Sequence, residues 1–162
     1  MKVPRELPGS PASAVYGTIL VAGQLAVESG TDDSTGQILG SLAATLIVFW
    51  LAHAYTDTLG GVIGGADGVD GEQPSLRRAL RVEWPIVESG IVPAVVLGLA
   101  VLFGAATRTA TGAALIVAAV QIVGWALLAA RRAGARGLRL VGFVGASAVF
   151  GIALVVLKYL IH

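Results

Sequence analysis

Residues 38–57 read ILGSLAATLIVFWLAHAYTD, a run of twenty residues that carries no charge before its last position. A helix of this length, at about 1.5 Å per residue, crosses the hydrocarbon core of a bilayer, which is about 30 Å thick. The run ends with a histidine, a tyrosine and an aspartate, and His53 is one of only two histidines in the chain. The stretch therefore predicts a membrane-spanning helix that becomes polar towards one end.

The composition of the whole chain agrees with that prediction. Of its 162 residues, 56% are hydrophobic and 13% are charged, and the mean hydropathy is +0.82. Soluble domains carry about 25% charged residues, and no soluble core of this length could bury so much apolar surface. The chain has no cysteine, which excludes disulfides and thiolate metal ligands. We predict an all-α integral membrane protein with a single transmembrane domain, residues 1–162.

Four further stretches are long and apolar enough to span a membrane. Together with the first, the five predicted spans are about 12–29, 38–57, 84–105, 111–130 and 138–160. A flexible Gly-rich loop, about 58–74, and a basic segment, about 75–83, separate the second span from the third. We therefore predict a compact bundle of five transmembrane helices.

The basic residues predict the orientation of this bundle, because cytoplasmic loops collect Lys and Arg. With the N-terminus in the cytoplasm and the C-terminus outside, only Arg108 and Lys158 of the eleven basic residues fall towards the outside. The nine on the cytoplasmic side are Lys2, Arg5, Arg77, Arg78, Arg81, Arg131, Arg132, Arg136 and Arg139.

The basic segment 75–83 has two interpretations. After a possible N-cap at Ser75 it places Arg77, Arg78 and Arg81 beside leucines, as in a short helix lying on the inner membrane surface. Such an elbow would contact anionic lipid headgroups through its arginines. The alternative is a basic flank that only sets the topology.

Polar residues from three spans fall at one depth in the inner leaflet. From the midpoint of each span, His53 lies roughly 8 Å, Glu88 roughly 10 Å and Tyr16 roughly 6 Å to the cytoplasmic side of the midplane. Asp57 follows His53 by one helical turn, and Glu83 lies nearer the interface. Because ionisable groups inside a bilayer normally face partners, we expect His53 to contact Glu88.

Two interpretations of these residues remain open. In one they are hydrogen-bonded contacts that hold helices together. In the other they line a hydrated path for protons or cations, with Asp57 and Glu83 at its cytoplasmic mouth and Tyr16 as a hydrogen-bond partner. A metal site is a variant of the second, since His53, Asp57 and Glu88 combine one nitrogen with carboxylate oxygens.

A second polar level lies near the predicted outer surface. Glu28 and Lys158 both fall roughly 12–13 Å outward of the midplane, which predicts a structural ion pair. Gln24, one turn from Glu28, and Gln121, near the middle of the fourth span, are expected to form hydrogen bonds between helices.

Proline and glycine positions predict a bend and close packing. Pro93 lies inside the third span and has no N–H, so the carbonyl of Ser89 loses its helical partner. The pairs Gly142/Ala146 and Ser147/Gly151 in the fifth span have the small-xxx-small spacing of closely packed helices, within one chain or between chains. Because five helices in 162 residues leave little room for an internal channel, we expect a homo-oligomer.

The sequence contains no motif typical of catalysis or cofactor binding. It has no P-loop, no dinucleotide-binding motif, no H-E-x-x-H and no G-x-S-x-G. We therefore expect no enzymatic activity and no cofactor, and scattered loop arginines do not support nucleic-acid binding.

The segments LAHAYTD (51–57), LRRALRVEWPIVESGIVP (76–93) and VVLKYLIH (155–162) resemble an uncharacterised family of small multispanning membrane proteins from high-GC bacteria. The resemblance covers most of the chain. It implies a shared membrane architecture in a bacterial cytoplasmic membrane, and it brings no activity, substrate or site residue.

We interpret the chain as a small multi-pass membrane protein, with a proton or cation channel or transporter as the leading hypothesis and the His53–Glu88 pair at its centre. The alternative is a non-catalytic scaffold or accessory subunit, whose buried polar residues only hold helices together. A membrane enzyme acting on lipid headgroups, through the basic elbow and the nearby carboxyls, is a third.

Overall fold

The computed structural model of the chain describes residues 11–30, 33–63 and 75–161, and the regular structure of these residues is entirely α-helical. In chain order the helices are α1 (Pro11–Glu28), α2 (Thr35–Ile63), α3 (Leu76–Val82), α4 (Pro85–Glu88), α5 (Ile91–Leu102), α6 (Thr107–Arg132) and α7 (Leu138–Ile161). The predicted all-α class is confirmed. The predicted Gly-rich loop, 58–74, begins later than expected, because positions 58–63 continue α2. Positions 64–74, and Lys2 and Arg5, lie outside the described residues.

Four stretches of these helices are long and apolar enough to cross a membrane: Thr35–Ile63, Leu76–Leu102, Thr107–Arg132 and Leu138–Leu160. They support a multi-pass membrane protein. The first of the five predicted spans, 12–29, does form a helix, α1, but this helix is not among the four.

The candidate span Leu76–Leu102 is broken twice. Pro85 takes the first position of α4, because its missing N–H ends the bonding pattern of α3 and suits the start of a new helix. Ser89 and Gly90 then separate α4 from α5, one turn before Pro93. The bend predicted from Pro93 thus occurs in the turn that precedes it.

The core forms around α1. This helix packs most extensively against α6 and also contacts α4, α2 and α7. Buried positions run along nearly its whole length, from Ser13 to Ala26. In contrast, α7 packs mainly on α6 at the edge of the bundle and buries few of its side chains. Helix α1, which is not among the four candidate spans, is therefore the helix most enclosed by its neighbours.

Candidate functional site

Tyr16 of α1 and His53 of α2, which were expected at one depth, contact each other through their rings and not through the hydrogen bond expected of Tyr16. Their ring centroids lie 4.5 Å apart with an interplanar angle of 47°, and Phe49 lies 6.1 Å from Tyr16. The Nδ1 atom of His53 is 3.0 Å from the carbonyl oxygen of Phe49, one turn earlier in the same helix. Because a carbonyl only accepts, Nδ1 carries the hydrogen in this bond. The contact between the helices is therefore one of aromatic rings.

Glu88 does not share this contact. Its side chain is exposed, and within residues 11–30, 33–63 and 75–161 no hydrogen bond or ion pair joins it to His53. The single turn of α4 buries Pro85 and Ile86, and Glu88 lies outside that buried arc. The expected His53–Glu88 contact is not formed, because the breaks around α4 turn the carboxyl away from the bundle.

The other predicted mouth residues also stay apart. Asp57 is exposed on α2, whereas Glu83 is buried, with 9% of its surface accessible, between α3 and α4. The part of the chain that the structure describes holds no group of three or more His, Asp or Glu side chains that could bind a metal ion. The candidate set of His53, Asp57 and Glu88 is therefore not assembled.

The bundle instead contains a hydrogen bond that repairs the broken span. Gln121 donates from Nε2 to the carbonyl oxygen of Ser89 at 3.0 Å, and this is the carbonyl that Pro93 leaves without a helical partner. The Ser89 hydroxyl donates to the carbonyl of Ile86 at 2.7 Å. The predicted interhelical role of Gln121 is confirmed, and its partner is the carbonyl that Pro93 frees.

Two polar atoms beside this bond have no hydrogen-bond partner among the described residues. They are Oε1 of Gln121 and Nε1 of Trp125, which are both buried and lie one turn apart on α6. The α1 backbone closes the other side of the break, because a Cβ added at Gly17 would lie 2.3 Å from Ser89 Oγ and 2.4 Å from the Ile86 carbonyl oxygen. Only glycine fits there. In the sequence, the glycine at position 17 is compatible with a close helix contact, but it does not indicate that Ser89 and Ile86 are the residues it contacts.

At the opposite end, Glu28 is held by α1 and α2. Its Oε1 accepts hydrogen bonds from Gln24 Nε2, at 3.0 Å, and from the hydroxyl of Ser41. The Gln24 bond lies within α1 and does not join two helices as expected, whereas the Ser41 bond joins α1 to α2. Lys158 lies elsewhere, against α6, where its Nζ would be 2.6 Å from a Cβ added at Gly112. The structure therefore does not bring the predicted Glu28–Lys158 ion pair together.

The predicted basic elbow is a short helix packed on α2. Trp50 donates from its indole Nε1 to the carbonyl of Leu80 at 2.8 Å, and the rings of Trp50 and Trp84 meet edge to face with centroids 5.2 Å apart. These contacts, which sequence reasoning missed, fix α3 and leave its basic side chains accessible. The exposed residues are Arg77, Arg78 and Arg81.

Comparison with known proteins adds no relative: the chain matches no family model, no curated protein and no solved structure. Its function is therefore inferred from its own residues.

Proposed function

We propose that this chain is a non-catalytic multi-pass membrane protein, a scaffold or accessory subunit, whose buried polar side chains serve to join its helices. The observation that carries the proposal is the Gln121–Ser89 hydrogen bond, in which a partly buried amide satisfies a backbone carbonyl freed by proline. Two other hydrogen bonds also join helices. Trp50 of α2 donates to the Leu80 carbonyl of α3, and Ser41 of α2 donates to the Glu28 carboxylate of α1. Contacts of this kind stabilise helix association by about 1 kcal/mol each.

The ionisable side chains of the inner half support the same proposal. A proton or cation path needs groups that face one another along a hydrated route, and here Glu88 and Asp57 face outward. His53 donates a hydrogen bond from Nδ1 to the Phe49 carbonyl of its own helix, and its ring packs against the ring of Tyr16.

We further propose that α1 is a fifth span. Its 18 residues measure about 27 Å, close to the thickness of the hydrocarbon core. Because neighbouring helices cover it from Ser13 to Ala26, α1 needs less lipophilic surface than a helix that faces lipid.

The distribution of charge supports the cytoplasmic N-terminus. The hydroxyls of Thr35 and Thr107 lie 3.3 Å apart, so α2 and α6 begin at one end of the bundle. Chain direction then places the exposed arginines of α3 and of the α6–α7 turn at the other end, which is the cytoplasmic side in this proposal. The arginines in and beside that turn are Arg131, Arg132, Arg136 and Arg139.

A proton or cation transporter is the second candidate, favoured by one observation. Glu83 is a largely buried residue between α3 and α4, and its carboxylate forms no hydrogen bond within the described ranges. A buried ionisable group inside a membrane helix is often functional. The transport hypothesis therefore centres on Glu83 and His53.

A flux assay separates the two candidates. The wild-type protein and the variants His53→Ala, Glu83→Gln and Glu88→Gln are reconstituted in liposomes, and proton entry is followed with a trapped pH-sensitive dye. Asp33→Asn, which removes an exposed carboxyl outside the helices, is the matched control. A scaffold shows no flux above empty liposomes. Flux in the wild type and in Asp33→Asn that is lost in His53→Ala and Glu83→Gln, with unchanged thermal stability, would overturn the scaffold proposal.

A further inference from the structure

A cavity of about 380 Å³ that opens on the protein surface lies where α6 begins and α7 ends. Its lining residues are Arg108, Thr109, Lys158 and Tyr159. Pockets that hold small ligands start at about 300 Å³, so this one is large enough for a phosphate or a lipid headgroup.

The cavity is strongly cationic. It combines a guanidinium and an ammonium with two hydroxyls, and its lining contains no carboxyl. Among residues 11–30, 33–63 and 75–161, no acidic side chain forms an ion pair with Arg108 or Lys158. Two like charges that line one cavity repel each other, and an anion bound between them would offset that repulsion by its attraction to both.

The position of Lys158 depends on a glycine. Its Nζ lies against α6 at Gly112, where an added Cβ would be only 2.6 Å away. A Cβ added at position 112 would require the flexible end of the Lys158 side chain to shift from its present place. Because Gly112 has no side chain, the Lys158 ammonium has room to lie against α6 at the edge of the cavity.

We propose that this cavity binds a phosphate group, through a bidentate contact from Arg108 and a point charge from Lys158, with hydroxyl donors from Thr109 and Tyr159. Arginine forks match phosphate oxygens, lysine neutralises their charge, and a tyrosine at the membrane–water interface is suited to such a site. The phosphate could belong to an anionic lipid headgroup or to a soluble molecule. The inference holds whether the protein is a scaffold or a transporter.

Binding to the delipidated protein in a neutral detergent tests the proposal. Phosphatidylglycerol, phosphatidylcholine and inorganic phosphate are titrated separately, with lipid binding counted by native mass spectrometry and phosphate binding followed by thermal shift at constant ionic strength. We expect Arg108→Gln and Lys158→Gln each to weaken binding about tenfold, as the loss of a charge-assisted hydrogen bond predicts. The ligand that shows this loss identifies the source of the phosphate.

Two further variants make the test specific. Gly112→Ala keeps both charges and favours the helix, so weaker binding in this variant would show that the placement of Lys158 matters. Arg139→Gln, an exposed arginine at the other end of the bundle, should bind as the wild type does. The proposal is overturned if Arg108→Gln and Lys158→Gln bind every ligand as the wild type does, or if Arg139→Gln weakens binding equally.

Discussion

Glycine has opposite roles in two regions of the molecule, the contact of α1 with α4 and the outer face of α7. Gly17 has no room for a Cβ, because Ser89 and Ile86 touch its backbone, whereas Gly142 and Gly145 have nothing within 4 Å of an added Cβ. Of the three glycines of α7, only Gly151 closely approaches another helix: a Cβ added there would lie 3.3 Å from the Ala119 carbonyl oxygen. Small residues therefore mark a close approach only where a neighbouring helix packs directly against them.

This difference also divides the predicted small-residue pairs of α7. Gly151, from the Ser147/Gly151 pair, packs against α6 within the chain, while Gly142 and Ala146 are exposed. The expected homo-oligomer stays a prediction, because exposed glycines suit lipid contact as well as a second copy.

Gly17→Ala should produce the largest effect, since its new methyl group overlaps backbone atoms that cannot move independently. Overpacking of this kind costs about 1–3 kcal/mol, and we expect the upper end of that range. The free energy of unfolding, measured by denaturant titration in detergent, gives the value. Gly142→Ala, with open space around it, should cause no loss and should stabilise the protein by up to about 1 kcal/mol, because Ala favours the helix. Equal losses in the two variants would refute the comparison.

Gln121→Ala should have the next largest effect, because it removes a hydrogen bond and leaves the buried carbonyl of Ser89 unpaired. The expected loss is about 1–2 kcal/mol. Pro93→Ala supplies a new N–H to that carbonyl, so the loss from Gln121→Ala should shrink in the Pro93→Ala background. A double-mutant cycle of unfolding free energies measures this coupling. Strictly additive losses would mean that the loss in Gln121→Ala does not come from leaving the Ser89 carbonyl unpaired.

The smallest effect is expected from a pair of tryptophans. Trp50→Phe keeps an aromatic ring but loses the bond to the Leu80 carbonyl, which should cost about 1 kcal/mol and loosen α3. Trp125→Phe removes a buried N–H that has no partner within the described residues, so it should be neutral or stabilising. Thermal stability, together with hydrogen exchange of residues 75–83, distinguishes the two variants. A larger loss in Trp125→Phe than in Trp50→Phe would contradict the assignment.

Parts of the polar core were predictable because they depend on a single residue. Pro93 cannot donate to Ser89 in any helix, and Gln121 inside an apolar helix requires a partner. Their bond to each other was not predictable, since it depends on which face of α6 meets the break. The same limit explains Glu88. The rise per residue predicts its height in the bundle, but the interruptions of the helix before and after α4 change the direction in which its side chain points.

The sequence by itself determined the helical class, the approximate bounds of the helices and the clustering of basic residues. Each of these follows from local hydropathy, helix length or charge, none of which requires knowledge of a neighbouring helix. Only the tertiary structure decided that His53 meets Tyr16 rather than Glu88, that Glu28 binds Ser41, and that Lys158 joins Arg108 around a cavity. Those contacts depend on the rotation of each helix about its own axis, and packing against the other helices sets that rotation.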